Sequence, residues 1–518
     1  MHRLFLEDTL MLIAVTGASG SVGKNIVPKL LERKENHCRL LFRDTPVNRK
    51  IISRLQKQFP QQISVVFGDV TNASCCQDFV QNADYVLHLA AVIPPKADHD
   101  EKMTWKTNFQ GTVNLVDAII QNGNQAALLF FSTVATYGHR SFPHYWGRIG
   151  DPLMPSIFDA YGASKVRAER YILESELKKY VILRETGVLY DNMMMNNIHD
   201  GLMFQTPVNV FIEWVTAKDT SILLDKIITE GDEKGDFWNK VYNIGGGPSC
   251  RQTGFETYDD GFRLIGGSAK KIFEPRWHNQ INFHCFWFSD SQILEDLFHF
   301  RTEGCSDFWK WFIRKHWIYR LGRLMPSSLL KSLVIKPLLK NSNAPDYWVK
   351  NNITAKITAA YGGIEKYNQI PKTWDRTDLI CEHPDYEQMK THDPSLDLSH
   401  GYDETKPDNN LNIEDMKEAA AFRGGKMLSS TMVPGDLRTK LTWQCHNGHV
   451  FESSPYTILK AGHWCPECCS PKDTWEYDDL AKNIPFFAQI WYDFHDPDED
   501  NVFYLDEKGL PQVRERKE

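Results

Sequence analysis

Mostly apolar runs in the first half of the chain are short, and longer amphipathic stretches separate them. Five runs have the length of buried strands, at residues 12–15, 39–42, 63–67, 85–91 and 128–131. Residues 113–120, which precede the last run, have the apolar spacing of a helix. Strands that alternate with helices predict an α/β fold built on a doubly wound parallel sheet.

A glycine-rich turn follows the first predicted strand, in the sequence TGASGSVG at residues 16–23. Gly17 allows a tight turn, Gly20 lets the backbone approach a pyrophosphate, and Gly23 lets the next helix pack close to the sheet. The helix N-terminus presents unpaired N–H groups and the positive end of its dipole to phosphates. The alternative is a plain turn of small residues. The predicted cofactor-binding residues of this turn are Gly17, Ser19, Gly20, Ser21, Val22 and Gly23.

Residues at the ends of the next three strands bear on the choice of cofactor. Arg43 follows the second strand, where an arginine suits the 2′-phosphate of NADP and an acid would favour NAD. A surface arginine is the alternative interpretation. An acid after the third strand can bond an adenine amino group, and small residues after the fourth let the cofactor lie against the backbone. These cofactor-binding candidates are Arg43, Asp69, Val70, Leu89, Ala90 and Ala91.

The sequence Tyr161-Gly-Ala-Ser-Lys165 precedes a predicted helix that starts at Val166. An unperturbed tyrosine has a pKa of about 10 and is a poor acid near neutral pH. A lysine four residues later lies on the same helix face, and its charge favours the phenolate. Tyr161 can then exchange a proton with a carbinol oxygen while a nicotinamide exchanges hydride. An exposed helix pair is the alternative interpretation.

Together these motifs resemble the extended short-chain dehydrogenase/reductase family, which is NAD-dependent epimerase/dehydratase-like, over about residues 11–250. The resemblance implies that Thr133 hydrogen-bonds the substrate oxygen, Lys165 holds the nicotinamide ribose and Asn108 supports the helix near Lys165. It also implies a homodimer through the helices after Asn108 and Tyr161. The matching residues are Thr16-Gly17-x-x-Gly20-x-x-Gly23, Asp69, His88-Leu89-Ala90-Ala91, Asn108, Ser132-Thr133, Tyr161-x-x-x-Lys165 and Val241-Tyr242-Asn243-Ile244-Gly245.

Two departures from the family pattern bear on the reaction. Val134-Ala135 follow Thr133 where the dehydratases carry an Asp-Glu pair, which argues against dehydration. Gly187 stands where nucleotide-sugar epimerases usually place an asparagine. Residues 40–46 resemble the NADPH-dependent carbonyl reductases of the superfamily. We therefore predict interconversion of a carbonyl and an alcohol in a small-molecule substrate with NADP(H), with NAD as the other possible cofactor. The alternatives are a nucleotide-sugar epimerase and an NADP(H)-sensing binding protein.

The substrate side is expected from residues 189–209 and from residues after Gly247, with the methionines at 193–195 as candidate apolar lining. The aromatic segment 276–288 either completes the pocket or forms an interface. The basic amphipathic segment 308–340 can lie on an anionic membrane, bind an acidic substrate or form a solvated face over a domain contact. We favour the last interpretation. Residues 391–410 are polar and predict a linker or a long loop.

Two short stretches carry zinc-ligand residue types, Cys445 and His449 in the first and Cys465 and Cys468 in the second. Together these four side chains can close a tetrahedral zinc site. Residues 422–468 resemble treble-clef or zinc-ribbon modules, although His446 could replace one ligand. Four protein ligands leave no open position, so the zinc would be structural. Such modules often bind nucleic acid or protein, but the scattered basic residues here favour neither.

The composition changes this picture little. The chain has 518 residues and a net charge of -8, which gives no global signature of nucleic-acid binding. Four of the eleven cysteines lie between 445 and 469, which indicates a metal site in an intracellular protein. The charged first fifteen residues do not resemble a signal peptide, and no apolar run is long enough for a membrane span, so we expect a cytoplasmic protein. The predicted domains are 11–270, 271–410, 411–475 and a tail at 476–518.

Overall fold

A seven-stranded parallel sheet forms the centre of the computed structural model, which describes residues 10–193, 200–469 and 472–516. Its spatial order is β7-β6-β5-β4-β1-β2-β3, and every neighbouring pair is parallel. This order confirms the predicted doubly wound sheet. The strands are β1 (Met11–Thr16), β2 (Asn36–Phe42), β3 (Ile63–Phe67), β4 (Tyr85–His88), β5 (Ala127–Thr133), β6 (Tyr180–Glu185) and β7 (Lys240–Ile244).

Helices cover both faces of the sheet, as the buried central strands require. Alternate residues of one strand enter different cores, so Leu128 and Phe130 pack on one side of β5 and Leu129 on the other. The main helices are α1 (Gly23–Leu30), α2 (Pro46–Gln58), α3 (Ala73–Val80), α4 (Gly111–Gln121), α5 (Ala160–Glu174) and α6 (Ala217–Glu230).

Short helices and paired strands build the substrate side and the middle of the chain. One antiparallel pair joins Phe211–Glu213 to Arg251–Thr253. Two parallel pairs join Val188–Leu189 to Val215–Thr216 and Trp146–Gly147 to Trp287–Phe288. The longer helices here are Gly254–Leu264, Ala269–Ile272, Gln292–Phe298, Cys305–Lys315, Pro345–Lys350, Thr354–Tyr361 and Ile364–Gln369. The basic segment 308–340 packs one side on helices 254–272, as a domain contact would. Its other side exposes apolar side chains, which a merely solvated face would not.

The polar segment 391–410, predicted as a linker or long loop, is a packed loop. Leu398 and His400 are buried, and the His400 imidazole lies 3.0 Å from a carboxylate oxygen of Asp151. The buried guanidinium of Arg423 donates to the His400 carbonyl oxygen at 2.7 Å. These contacts tie the loop to the residues on both sides of it, so it is not a free linker.

The C-terminal residues form two small antiparallel sheets. The first pairs Lys426–Met427, Leu441–Gln444 and Val450–Ser453, and the second pairs Thr474–Trp475, Asn501–Leu505 and Pro511–Glu515. The second sheet spans the predicted boundary at 475, because Trp475 pairs with Phe503 in the tail. Three helices accompany the sheets, at Ile413–Phe422, Tyr477–Asn483 and Pro485–Trp491.

The C-terminal segment packs directly on α5, and the two share one apolar core. The Arg184 guanidinium donates to the Ala461 carbonyl oxygen at 2.8 Å, and Arg170 donates to the Trp464 carbonyl oxygen. The Ser453 hydroxyl donates to Glu174 at 2.9 Å. The predicted homodimer uses the same helices, so part of α5 is already covered within this chain, and the dimer stays a prediction. Within the described residues, no helix is both long and apolar enough to cross a bilayer.

Candidate active site

The glycine-rich turn after β1 is held tightly against the end of β4. Gly17 has a φ of +71°, and a Cβ there would lie 2.7 Å from the backbone of Leu89 and Ala90. A Cβ on Gly23 would lie 2.3 Å from the Gly17 carbonyl oxygen. Both positions therefore require glycine on steric grounds. A Cβ on Gly20 would meet only the Gly17 carbonyl oxygen, at 3.1 Å, which leaves this side of the turn open.

A cavity of about 480 Å³ lies beyond the carboxyl ends of β1 to β4, where ligands of open α/β sheets bind. Most of the predicted cofactor residues line it. Ser21, Val22 and Gly23 are not among its lining residues, since they begin α1 behind the turn. The predicted residues that do line it are Gly17, Ser19, Gly20, Arg43, Asp69, Val70, Leu89, Ala90 and Ala91.

Basic side chains are placed around this cavity. Arg43 is exposed and lines it, whereas the neighbouring Asp44 forms an ion pair with Arg49 at 2.6 Å. Lys96 and Lys106 also line the cavity, and the sequence analysis missed both. Lys96 begins the short helix Lys96–His99 beyond β4, and Lys106 lies on the π-helical turn Trp105–Gln110. Neither belongs to a sequence motif that would have indicated it.

The end of β5 and the start of α5 bring Thr133 and Tyr161 together. The Asp159 carboxylate caps α5 by accepting the Gly162 N–H at 2.9 Å, which fixes the first turn of the helix. Burial raises the pKa of Tyr161 above its usual range, and a hydrogen bond with Thr133 partly offsets that increase. A phenol beside a hydroxyl in a cavity wall can donate a proton to a substrate oxygen placed between the two.

Lys165 lies one turn after Tyr161 and is buried. Its ammonium donates to the Phe131 carbonyl oxygen at 2.6 Å and lies 4.5 Å from the centre of the Phe130 ring. Burial lowers the pKa of Lys165 to about 7. We predicted that the lysine charge would lower the pKa of Tyr161. In the structure burial dominates that pKa, and the ammonium is bonded to the strand end.

Asn108 joins the end of β4 to α5. Its side-chain oxygen accepts the Val92 N–H at 2.8 Å, and its amide donates to the Val92 carbonyl oxygen at 3.0 Å and to the Ser164 hydroxyl at 3.2 Å. The residue is fully buried, so these bonds satisfy it. Asn108 therefore acts as a positioning residue for the helix that carries Tyr161 and Lys165.

A second cavity of about 350 Å³ adjoins the first, since Ile93 lines both. Thr133 and Tyr161 lie in its wall. The predicted substrate side supplies much of the rest, including Met193, and Met194 and Met195 lie outside the described residues. The aromatic segment 276–288 completes the pocket through Phe283, His284 and Cys285.

The second cavity has mainly apolar walls and a few buried polar groups. Asp98 and Asp159 each carry a buried carboxylate oxygen with no hydrogen-bond partner among the described residues. Burial raises the pKa of Asp98 to about 6 and that of Asp159 to about 7. Lys356 comes from the distant helix Thr354–Tyr361, and burial lowers its pKa. Lys356 could not be predicted from the sequence, because it is far along the chain from the other residues of this cavity.

The four predicted zinc ligands converge in the C-terminal segment, and their ligand atoms all lie within 4.8 Å of one another. Cys445 and Cys468 have their sulfurs 3.7 Å apart, and the His449 Nδ1 lies 3.2 to 3.6 Å from the three sulfurs. Zinc–sulfur bonds of about 2.3 Å in a tetrahedron place two sulfurs about 3.8 Å apart. The donor set therefore fits zinc. His446 is not part of this cluster.

Residues 13–245 match the model of the NAD dependent epimerase/dehydratase family. The chain is 30% identical to the 3 beta-hydroxysteroid dehydrogenase type 7 of Mus musculus over 202 residues, which cover 37% of this chain and 54% of that protein. It is also 30% identical to a 3 beta-hydroxysteroid dehydrogenase/Delta 5-->4-isomerase of Mycobacterium tuberculosis over 176 residues, which cover 32% and 44%. The chain thus spans about half the length of the curated relatives it matches.

Among solved structures, the dTDP-glucose 4,6-dehydratase DesIV of Streptomyces venezuelae aligns with a TM-score of 0.50 and 19% identity. The alignment covers 60% of this chain and 98% of that one. At this identity the likeness shows the fold alone. The fold agrees with the resemblance of this part of the chain to the extended short-chain dehydrogenase/reductase enzymes. Residues 13–245, less than half of the chain, are thus similar to the NAD dependent epimerase/dehydratase family.

Proposed function

We propose that this protein is an NADP(H)-dependent oxidoreductase that interconverts a carbonyl and an alcohol by hydride transfer. The observation that supports the proposal is the placement of Thr133 and Tyr161 together in the wall of a cavity that adjoins the glycine-rich cleft. In reduction, Tyr161 gives its proton to the substrate oxygen and Thr133 hydrogen-bonds the same oxygen. Lys165 holds the nicotinamide ribose. Bound NADP(H) supplies the hydride.

An uncharged, mostly apolar substrate suits the second cavity better than a nucleotide sugar. A diphosphate is a strong anion that arginine recognises with two parallel hydrogen bonds. Lys356 is the only lysine or arginine among the described lining residues of this cavity, and two acids, Asp98 and Asp159, accompany it. The two curated relatives act on steroids by name, which agrees with an apolar substrate.

The preference for NADP over NAD rests on the end of β2. Arg43 lines the cleft, whereas Asp44 is held by Arg49 and is not among the lining residues. A charged hydrogen bond contributes about 1.5–3 kcal/mol. We therefore expect Arg43→Ala to weaken NADP⁺ binding about 10- to 100-fold and to leave NAD⁺ binding nearly unchanged. Arg54→Ala removes an exposed arginine from the middle of α2 and is the matched control.

Calorimetry of the full chain with NADP⁺ and NAD⁺ tests the cofactor, and a carbonyl screen that follows NADPH consumption then tests the reaction. Tyr161→Phe should bind cofactor normally and lose turnover about 10²- to 10⁴-fold. A preference for NAD⁺, or a cofactor that never leaves the purified protein, would favour the nucleotide-sugar epimerase. Failure to bind either nucleotide would refute the enzyme proposal and the NADP(H) sensor alike.

We further propose that Cys445, His449, Cys465 and Cys468 hold a structural zinc. Metal analysis of the purified protein should find one zinc per chain, and Cys468→Ser should remove it. Cys469→Ser is the matched control, because Cys469 is adjacent but outside the cluster. Equal zinc content in both variants would contradict the proposed ligand set. A protein or nucleic-acid partner of this module and the cytoplasmic location stay predictions.

A further inference from the structure

Eight of the nineteen large apolar side chains exposed in the described part of the chain lie between residues 311 and 333. Leu324 is 82% exposed, Trp317 64% and Leu333 63%. The other exposed apolar residues are scattered along the chain, which is normal for a protein surface. A contiguous exposed patch instead marks an interaction site. We use the name basic segment from here on for residues 305–340, which add the start of the helix Cys305–Lys315 to the stretch 308–340 described above.

The basic segment is anchored on one side only. Phe308, Trp309 and Phe312 of the helix Cys305–Lys315 pack against the substrate side, and Ile335 packs with Ile272. Gly322 and Arg323 lie against Ile265 and Gly266 of the underlying helix–turn. The exposed apolar side chains therefore project from the outer side of this layer, away from the body of the protein.

The charge of the basic segment is opposite to that of the protein. It contains eight lysines and arginines and one acid, Asp307, although the whole chain has a net charge of -8. Arg314, Arg320, Lys336 and Lys340 are exposed and take part in none of the ion pairs found among the described residues. Positive side chains are thus interleaved with exposed tryptophan and leucine.

We propose that the basic segment is a docking surface for an anionic membrane. Tryptophan and leucine insert at the boundary between headgroups and acyl chains, while lysine and arginine bind acidic headgroups. The long basic side chains can lie along the apolar surface and keep their charges in the headgroup layer. The segment needs no spanning helix for this, because it lies in the plane of the interface.

The position of the segment connects docking with the proposed reaction. Phe308, Trp309 and Phe312 belong to a hydrophobic cluster against which Met193 and Trp214 pack, and both of these line the second cavity. A membrane would therefore lie on a layer that packs behind two residues of the substrate-cavity wall. Docking itself rests on the exposed patch and its charge, so it does not depend on the identity of the substrate.

Co-sedimentation of the full-length protein with vesicles tests the proposal. One set of vesicles contains phosphatidylcholine alone, and the other contains phosphatidylcholine with phosphatidylserine. We expect binding only to the second set, and we expect high salt to weaken it. Each basic residue near an anionic surface contributes about 1 kcal/mol, or roughly a factor of five. The variant Arg314→Gln/Arg320→Gln should therefore bind about 30-fold more weakly.

The matched control for charge is Arg54→Gln/Lys57→Gln, which removes two exposed charges from α2 and should bind like the wild type. Leu321→Ser/Leu324→Ser tests the apolar contribution and should also reduce binding, with an unchanged circular dichroism spectrum as the check on folding.

Absence of binding, or equal binding to both vesicles, would overturn the proposal. A dimer in sedimentation velocity that these leucine variants dissociate would identify a second copy of the chain as the occupant instead. Cofactor affinity should be the same in all of these variants, so failure here is separable from failure of the proposed reaction.

Discussion

The buried ion pair between Glu169 and Arg184 should stabilise the catalytic domain and the C-terminal segment together. Both side chains are completely buried. Arg184 donates to both carboxylate oxygens of Glu169 at 2.6 to 3.1 Å, to the Tyr137 hydroxyl at 2.8 Å and to the Ala461 carbonyl oxygen at 2.8 Å. Glu169 also accepts the hydroxyl of Ser132, the residue before Thr133.

Glu169→Gln keeps the shape of this side chain and removes its charge, which leaves the Arg184 cation without its counter-ion. Removal of one partner of a buried ion pair costs about 3–5 kcal/mol, because the remaining charge stays desolvated. An exposed pair contributes about 0–1 kcal/mol. The control is therefore Glu32→Gln, which breaks the exposed Lys29–Glu32 pair.

Native-state hydrogen exchange of the full chain can measure this loss in each segment. We expect exchange in α5 and in residues 455–465 to accelerate together, by a factor of about 100 to 5000 in Glu169→Gln, the equivalent of 3–5 kcal/mol. Glu32→Gln should accelerate neither by more than about fivefold. An effect below tenfold, or acceleration in α5 alone, would refute the argument that this ion pair couples the two segments.

Three further predictions concern the site. Asp159→Asn should reduce the fall in unfolding free energy as the pH rises from about 4 to 7, because the native carboxyl with its pKa of about 7 keeps a proton that the unfolded chain has already released. Asp98 contributes a further fall of the same sign that the variant keeps, and urea titrations across this range would measure the difference. Gly17→Ala should lose NADP⁺ binding in calorimetry, since its Cβ would contact the Leu89 backbone at 2.7 Å, and unchanged affinity would argue against a tight turn. Asn108→Ala should reduce kcat with little change in KM, because the substitution removes the link between Val92 and α5. An unchanged kcat would contradict the positioning role of Asn108.

Local patterns in the sequence were sufficient to predict five of the seven sheet strands and the glycine-rich turn. Buried parallel strands are short apolar runs, and the turn requires glycine for steric reasons that the sequence displays. The predicted strand 128–131 is two residues shorter than β5 at its C-terminal end, because Ser132 and Thr133 are polar residues that tertiary contacts hold in strand conformation. The length of a strand is therefore hard to predict where the strand ends in polar residues at a candidate active site.

Contacts between residues distant in the chain could not be predicted in the same way. Lys356 reaches the substrate cavity from a helix with no distinctive motif. The fit of Ala461 and Trp464 against α5 depends on three-dimensional packing between segments with no shared local pattern. The basic segment was visible as an amphipathic pattern, but only the structure distinguishes which of its apolar side chains are buried and which are exposed.

The dependence of α5 on the C-terminal segment has a consequence for synthesis. The contact between Arg170 and Trp464 joins residues 294 positions apart. At 5–20 residues per second, a ribosome needs about 15 to 60 s to produce the second after the first. During that interval the nascent first half has its apolar face uncovered, which exposes it to chaperones and to aggregation. Activity should therefore emerge only upon completion of the polypeptide, and premature termination after the family domain should yield an unstable product.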